Sequence, residues 1–293
     1  MRLIEPFGAG GGPDIVARAL AGALAISQGR PVEVVNHPGG GSTAAPALVL
    51  KAPADGETLL INTSAHAYSA VVVADLPYDP LSDFVAVAPL TSQAYVLVAG
   101  AATGFGSLAE LIAAAKAAPG SVRFGSTGVG TATHIGTEEL NLAAGIGARH
   151  APAGPHDSIS DVVSNAIRGA IDYMMAPISI AAGPIEAGDL VALGITTAQP
   201  SPTLPNVPTL AEAGAPGYDF PIWYGAWAHA ATPPAIVKRR ADSIAAAMSR
   251  PDVRDVLARH GMLPMNLTSD EFVRFVIDET HRARRIIPAG RPA

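Results

Sequence analysis

Short apolar runs alternate along this chain with longer runs whose apolar residues recur every three to four positions, the pattern of strands interleaved with amphipathic helices. Residues 3–7 and 32–35 read as strands. Between them Ile15, Val16, Ala19, Leu20, Ala23 and Leu24 share one helical face behind Pro13, which suits a first helical turn. A helix over 44–51 and a strand over 58–62 follow, the strand introduced by the turn Pro53-Ala54-Asp55-Gly56. Short strands over 85–88 and 95–99 complete the first hundred residues, whose strand–helix repetition predicts a parallel sheet covered by helices.

Near residues 100–106 the composition turns to Gly, Ala and Thr, and the alternation restarts. It predicts a helix over 108–118, a strand over 122–124, a helix over 133–144 and strands over 171–175 and 190–196. A proline-rich stretch over 200–208 ends this second set. A strand over 223–229 and helices over 234–248, 253–260 and 270–285 close the chain without sheet partners of their own nearby. The chain therefore crosses into a second lobe near residue 100 and returns near residue 222. Residues 1–100 with 222–293 form one lobe, and 101–221 the other. A double crossing makes a hinge, and a cleft between hinged lobes is a common place for a small ligand.

Composition narrows the function. Of 293 residues, 49% are hydrophobic and 15% charged, which describes well-packed globular lobes. A net charge of -6 argues against nucleic acid as a partner. Absence of cysteine excludes disulfides, thiolate catalysis and cysteine metal sites. Residues 1–7 already read as a strand, so an export signal, if the protein has one, was removed or lies outside this sequence.

Three strand-like runs break into small residues before a helix: Gly8 to Asp14, Gly39 to Thr43, and Gly125 to Thr131. A helix start leaves backbone N–H groups unpaired and partly positive, and glycine lets an anion approach them closely. In the first loop Gly10, Gly11 and Gly12 suit a carboxylate, although a tight turn without ligand also fits. Asp14 would repel an anion and is expected to shape the loop by accepting from backbone N–H groups. The third loop adds the hydroxyls of Ser126, Thr127, Thr131 and Thr133, more than one helix cap needs. Thr63, Ser64, Ala65 and His66 follow a predicted strand end, where open α/β sheets place ligands. Asn36-His37-Pro38-Gly39 reads equally as an ordinary turn.

Other chemistry is poorly supported. Pro13 stands where a dinucleotide fingerprint wants glycine, no loop continues into Gly-Lys-Ser/Thr, and Gly-x-Ser-x-Gly and His-Glu-x-x-His are absent. No cofactor, metal or catalytic residue is expected. His134 and Glu138, one helical turn apart, read as a surface pair, and the other histidines as surface or packing residues unless His66 lines the cleft. Trp223 and Tyr224, at the return crossing, suit hinge packing or contact with a ligand's carbon skeleton.

The order of motifs resembles the tripartite tricarboxylate transporter substrate-binding proteins, the Bug family. The resemblance runs from Pro6-Phe7 with Gly10-Gly11-Gly12-x-Asp14-Ile15-Val16-Ala17-Arg18, through Asn36-x-Pro38-Gly39 and Ala52-Pro53-x-Asp55-Gly56-x-Thr58-Leu59-Leu60, to Leu76-Pro77-Tyr78-Asp79-Pro80 with Asp83-Phe84. It continues in Phe124-Gly125-Ser126 with Thr133-His134, Leu204-Pro205-x-Val207-Pro208-Thr209 with Glu212-Ala213-Gly214, and Trp223-Tyr224-Gly225. It implies a two-lobed α/β fold of the type II periplasmic binding-protein kind, each lobe a mixed sheet flanked by helices. It also implies a periplasmic receptor, expected as a monomer, that closes on a small mono-, di- or tricarboxylate and delivers it to a membrane permease. The ligand contacts it implies are Phe7, Gly10, Gly11, Asp14, Thr63, Ser64, Ala65, His66, Ser126, Thr127, Gly128, Thr131, His134, Ala176 and Pro177.

Two departures bear on the ligand. Ala176 stands where amino-acid-binding members tend to carry an acidic residue, which disfavours an amino acid. Residues 151–161 depart from the family's Pro-Tyr-x-Gly; Pro152 or Pro155 could be its equivalent, and His156 could replace its aromatic contact. An enzyme or a sensor on a similar two-lobed fold, acting on a small anionic metabolite, is the alternative.

Overall fold

A computed structural model describes residues 1–73, 75–151 and 158–287. The chain runs β1 (Arg2–Glu5), α1 (Gly12–Gln28), β2 (Glu33–Asn36), α2 (Ala44–Leu50), β3 (Thr58–Thr63), α3 (Ala65–Val72), β4 (Phe84–Gln93), β5 (Tyr95–Gly100), α4 (Leu108–Ala117) and β6 (Arg123–Gly125). It continues through α5 (Ala132–Ala144), β7 (Arg149–His150), α6 (Ile159–Ile167), β8 (Tyr173–Pro177), α7 (Ile178–Ala187), β9 (Leu190–Ile195) and α8 (Leu210–Ala213). It ends with β10 (Ile222–His229), α9 (Pro234–Met248), α10 (Pro251–Arg259), β11 (Met262–Pro264) and α11 (Ser269–Ile286).

Two compact units result, Met1–Ser92 with Trp223–Ala293, and Gln93–Ile222. The first holds a six-stranded sheet in the order β11-β4-β10-β3-β1-β2. Strand β1 pairs in parallel with β2 and β3, whereas β10 runs antiparallel to β3. The parallel sheet expected from the first hundred residues is thus a mixed one, because a strand from the last quarter of the chain completes it. All six residues of β3 are buried, as its central place requires. Helix α1 covers the sheet with Val16, Ala17, Leu20 and Leu24 and ends at Gly29, whose φ of 62° is the left-handed conformation glycine tolerates.

The second unit holds a five-stranded sheet in the order β7-β6-β8-β5-β9. Its β6 lies parallel to β7 and β8, and β5 runs antiparallel to β8 and β9. Strand β5, in the stretch the sequence places before the crossing, is therefore built into the second sheet. The core here gathers Val96, Val98, Val162, Ala166, Met174 and Ile195. Each Val, Ile or Met side chain among them, fully buried, contributes about 1.5–3 kcal/mol. Helices α3, α6 and α7, which the pattern of apolar positions does not predict, are short and flank these sheets. Among the described residues no helix is long and apolar enough to cross a membrane.

Candidate functional site

In each unit the expected contact residues follow the carboxyl ends of neighbouring parallel strands. In the first unit β1 and β3 are such neighbours, leading into the loop over 6–11 and into Thr63-Ser64. In the second, β6 leads into the loop over 126–131, and its parallel neighbour β8 ends in Ala176-Pro177. Strand ends of this kind present helix starts, and the helices that follow, α1, α3, α5 and α7, carry no side-chain cap.

The first loop is built from below by two carboxylates. Phe7 N–H donates to Glu5 Oε2 at 2.8 Å, and Gly10 N–H to Asp14 Oδ2 at 2.9 Å. Asn36 ties the carboxylates together, its amide donating to Glu5 Oε1 and, at 2.9 Å, to Asp14 Oδ1. Arg18 Nε completes the Asp14 shell at 2.9 Å. Asp14 is buried, so its role is to hold Gly10 rather than to face an anion. Burial works to raise the Asp14 pKa, but the hydrogen bonds from Arg18, Gly10 and Asn36 prevail and hold it below the ordinary carboxyl value. For Glu5 burial prevails, pushing the carboxyl up to about 7 against the bonds from Phe7 and Asn36.

Above this foundation Gly8, Ala9 and Gly10 are exposed, and Gly10 adopts a φ of 82° that a larger residue would resist. Gly12 has a different reason to be glycine. A Cβ there would lie 2.4 Å from the hydroxyl oxygen of Tyr224, so β10 packs its phenol directly against the start of α1. Its neighbour Trp223 is also committed within the first unit, donating through Nε1 to Glu279 at 2.9 Å.

Thr63 and Ser64 close β3 and open α3. The Thr63 hydroxyl accepts from Ala65 N–H at 3.1 Å, and Ser64 N–H donates to the Trp223 carbonyl at 3.0 Å. His66 turns into the core, 1% exposed, with ring centroids 4.7 Å from Phe84 and 4.8 Å from Trp227. Burial pushes its pKa down to about 3, so the ring is neutral and packs as an aromatic residue.

In the second unit the loop after β6 is a web of hydroxyls. Thr131 Oγ1 donates to the Gly128 carbonyl at 2.7 Å, and the Thr133 hydroxyl lies 3.1 Å from those of both Thr127 and Thr131. Thr127 N–H donates to Thr133 Oγ1 at 3.2 Å, and Gly128 N–H to Ser126 Oγ at 3.2 Å. Gly125 is needed below, since a Cβ would meet Ile171 at 2.3 Å. His134 is buried instead of lying on the helix surface, its ring 4.7 Å from that of His150. Burial and the neighbouring His150 push the His134 pKa down to about 3.

His150, expected from the sequence as a surface or packing residue because it shows no metal-ligand spacing, joins this loop's hydrogen-bond web from a two-residue strand. Its Nε2 lies 2.9 Å from Ser126 Oγ. Ala176 is fully buried in β8 opposite Val96, and Pro177 precedes α7. Pro152, Pro155 and His156 lie outside the described residues. Among the described residues no three His, Asp or Glu side chains form a metal-binding group.

The sequence pattern of the tripartite tricarboxylate transporter family receptors matches residues 16–290. A Pseudomonas sp. protein from the tcbD–tcbE intergenic region is 33% identical over 97% of this chain and 84% of its own length. BugT from Bordetella pertussis is 32% identical over 96% of this chain and 86% of its own. Among solved structures, an R. palustris protein with adipate superposes with a TM-score of 0.87 at 28% identity, covering 98% of this chain and 95% of the other. MatC from Rhodopseudomonas palustris, with bound malate, gives 0.86 at 27%, covering 98% of both.

Proposed function

The chain belongs to the tripartite tricarboxylate transporter family of receptors, and from that premise we propose that it captures a small carboxylate in the periplasm and passes it unchanged to a membrane permease. The reading is carried by the uncapped start of α5 with its surrounding hydroxyls in the second unit and, in the first, by the glycine loop that opens α1. Residues 6–13 and 125–134 contain no Lys or Arg. Main-chain N–H groups and neutral hydroxyls would therefore supply the binding. A ligand held by neutral donors is released more readily than one locked in an arginine fork, which suits a protein that must hand its ligand on.

Adipate and malate in the two R. palustris neighbours support a carboxylate, and Ala176 offers no charge to an amino acid's ammonium group. To ligand contact we assign Phe7, Gly10 and Gly11, Thr63 and Ser64, and Ser126, Thr127, Gly128 and Thr131, of which Ser64 and Ser126 are fully buried, with Asp14 and His134 supporting the loops. A thermal-shift panel of mono-, di-, tri- and aromatic carboxylates, with amino acids as the contrasting set, tests the class. Stabilisation by a carboxylate alone is the expected result. Stabilisation by aspartate or glutamate in preference, or turnover of the bound acid, overturns the reading. Calorimetry on Ser126→Ala with Thr127→Ala is expected to show binding weakened by about 1–3 kcal/mol, the scale of hydrogen bonds to a charged group. Unchanged affinity would remove this loop from the site.

A further inference from the structure

We infer that His150 is a positioning residue for the carboxylate site: its ring N–H occupies the Ser126 oxygen, so that the hydroxyl proton is directed to the ligand. The inference rests on the carboxylate-receptor reading given above. A serine hydroxyl has one proton and two acceptor positions. Among the described residues three polar atoms stand around Ser126 Oγ, Gly128 N–H at 3.2 Å, the Gly128 carbonyl at 3.2 Å and His150 Nε2 at 2.9 Å. The amide can only donate, and it fills one acceptor position. The ring nitrogen decides the rest.

If Nε2 carries the proton, it fills the second acceptor position and the Ser126 proton must find an outside acceptor. Within this loop that acceptor is the Gly128 carbonyl, which already receives the shorter bond from Thr131 Oγ1 at 2.7 Å. A carboxylate oxygen is the stronger competitor for that proton. If Nε2 were bare, the imidazole would take the Ser126 proton and the serine would have none to offer. The ring is held where this choice matters. Phe124 lies along it with centroids 4.9 Å apart, and His134 meets it edge-on at 4.7 Å. Gly130 N–H approaches Nδ1 of His134 at 3.4 Å, so in that ring Nδ1 is placed to accept. Burial lowers the pKa of both histidines, so His150 acts on Ser126 as a neutral ring rather than as a charge.

The test has a ligand-free arm and a binding arm. Nitrogen-15 spectra of the histidine-labelled, ligand-free protein at pH 7.5 are expected to show His150 as the Nε2–H tautomer; the Nδ1–H tautomer overturns the inference whatever the ligand is. With adipate, or the panel acid that gives the larger shift, His150→Phe is expected to weaken binding roughly tenfold. His150→Gln, whose amide can donate from a similar place, is expected to recover most of that loss. On a Ser126→Ala background the Phe substitution is expected to add nothing. An equal loss with and without Ser126, or no recovery by Gln, assigns His150 a packing role and ends the inference. Should His150→Phe fail to fold, the Gln variant and the tautomer still decide. If no acid in the panel binds, the receptor reading fails while the tautomer still reports on the Ser126–His150 pair.

Discussion

Glu5 carries an ionisable group into the core directly beneath a candidate ligand loop, and its protonation affects the fold. Its folded value of about 7 lies above the ordinary 4.5, so between these values the folded chain holds more protons than the unfolded one. Stability contributed by protonated Glu5 is complete below pH 4.5 and is lost as pH rises through 7. Replacing it by Gln is expected to flatten the pH dependence across this window and to lower stability at pH 5 by about 1–3 kcal/mol, because the Gln amide nitrogen cannot accept the bond that Phe7 N–H or Asn36 gives the carboxyl. Urea titrations at pH 5 and pH 8 measure both effects; parallel profiles for Glu5→Gln and the parent would contradict this account. Asp14 works in the opposite sense, since its lowered pKa means its bonds to Gly10, Arg18 and Asn36 weaken only in acid. The sequence shows Asp14 as a loop-shaping residue because it sits four positions after Gly10 in a recognisable helix start. Glu5 and Asn36 end separate strands, and only the β1–β2 pairing brings them together.

At the scale of elements, the chain uses two kinds of helix start. Helices α4, α6, α8 and α11 are closed by Ser107, Ser158, Thr209 and Thr268, the last three in reciprocal pairs with Asp161, Glu212 and Glu271. Helices α1 and α5 begin at glycine-bearing loops without such a cap. The difference is measurable. Thr268→Ala removes a cap that the helix itself needs and is expected to cost about 1 kcal/mol in stability with carboxylate affinity unchanged, whereas the proposal has the Ser126 and Thr127 changes lower affinity. Comparing denaturant midpoints with binding isotherms checks this separation, and a Thr268→Ala protein with weakened binding would contradict it.

Long periodic helices such as α9 are legible in sequence because their apolar spacing is sustained between a leading proline and a break. Helix α3 is not, since residues 65–72 are almost all small or apolar, a pattern that a buried strand shares. The same holds for α7 around Pro184. Of the candidate site, the glycine loops and hydroxyls could be read directly because their chemistry is local. His150 could not, since its partner is 24 residues away in the chain.

For the whole molecule, two successive strand–helix alternations are visible in the sequence, but the place of single strands is not. Strand pairing joins residues far apart, and β5 looks the same in sequence whichever sheet receives it. The topology of the first sheet carries its own consequence. Strand β10 lies between β3 and β4, so this sheet has a gap in its middle until residues 222–229 arrive, whereas the second unit is drawn from one uninterrupted stretch. Closing the gap requires a loop of well over a hundred residues, and long loops raise the entropic barrier to pairing. Pulse-labelling hydrogen exchange during refolding is expected to find the amides of β5, β8 and β9 protected before those of β3 and β10. Simultaneous protection would remove the argument. On the ribosome the same geometry leaves the amino-terminal strands waiting for most of synthesis with an open seam, exposed to wrong partners until the last quarter of the polypeptide emerges.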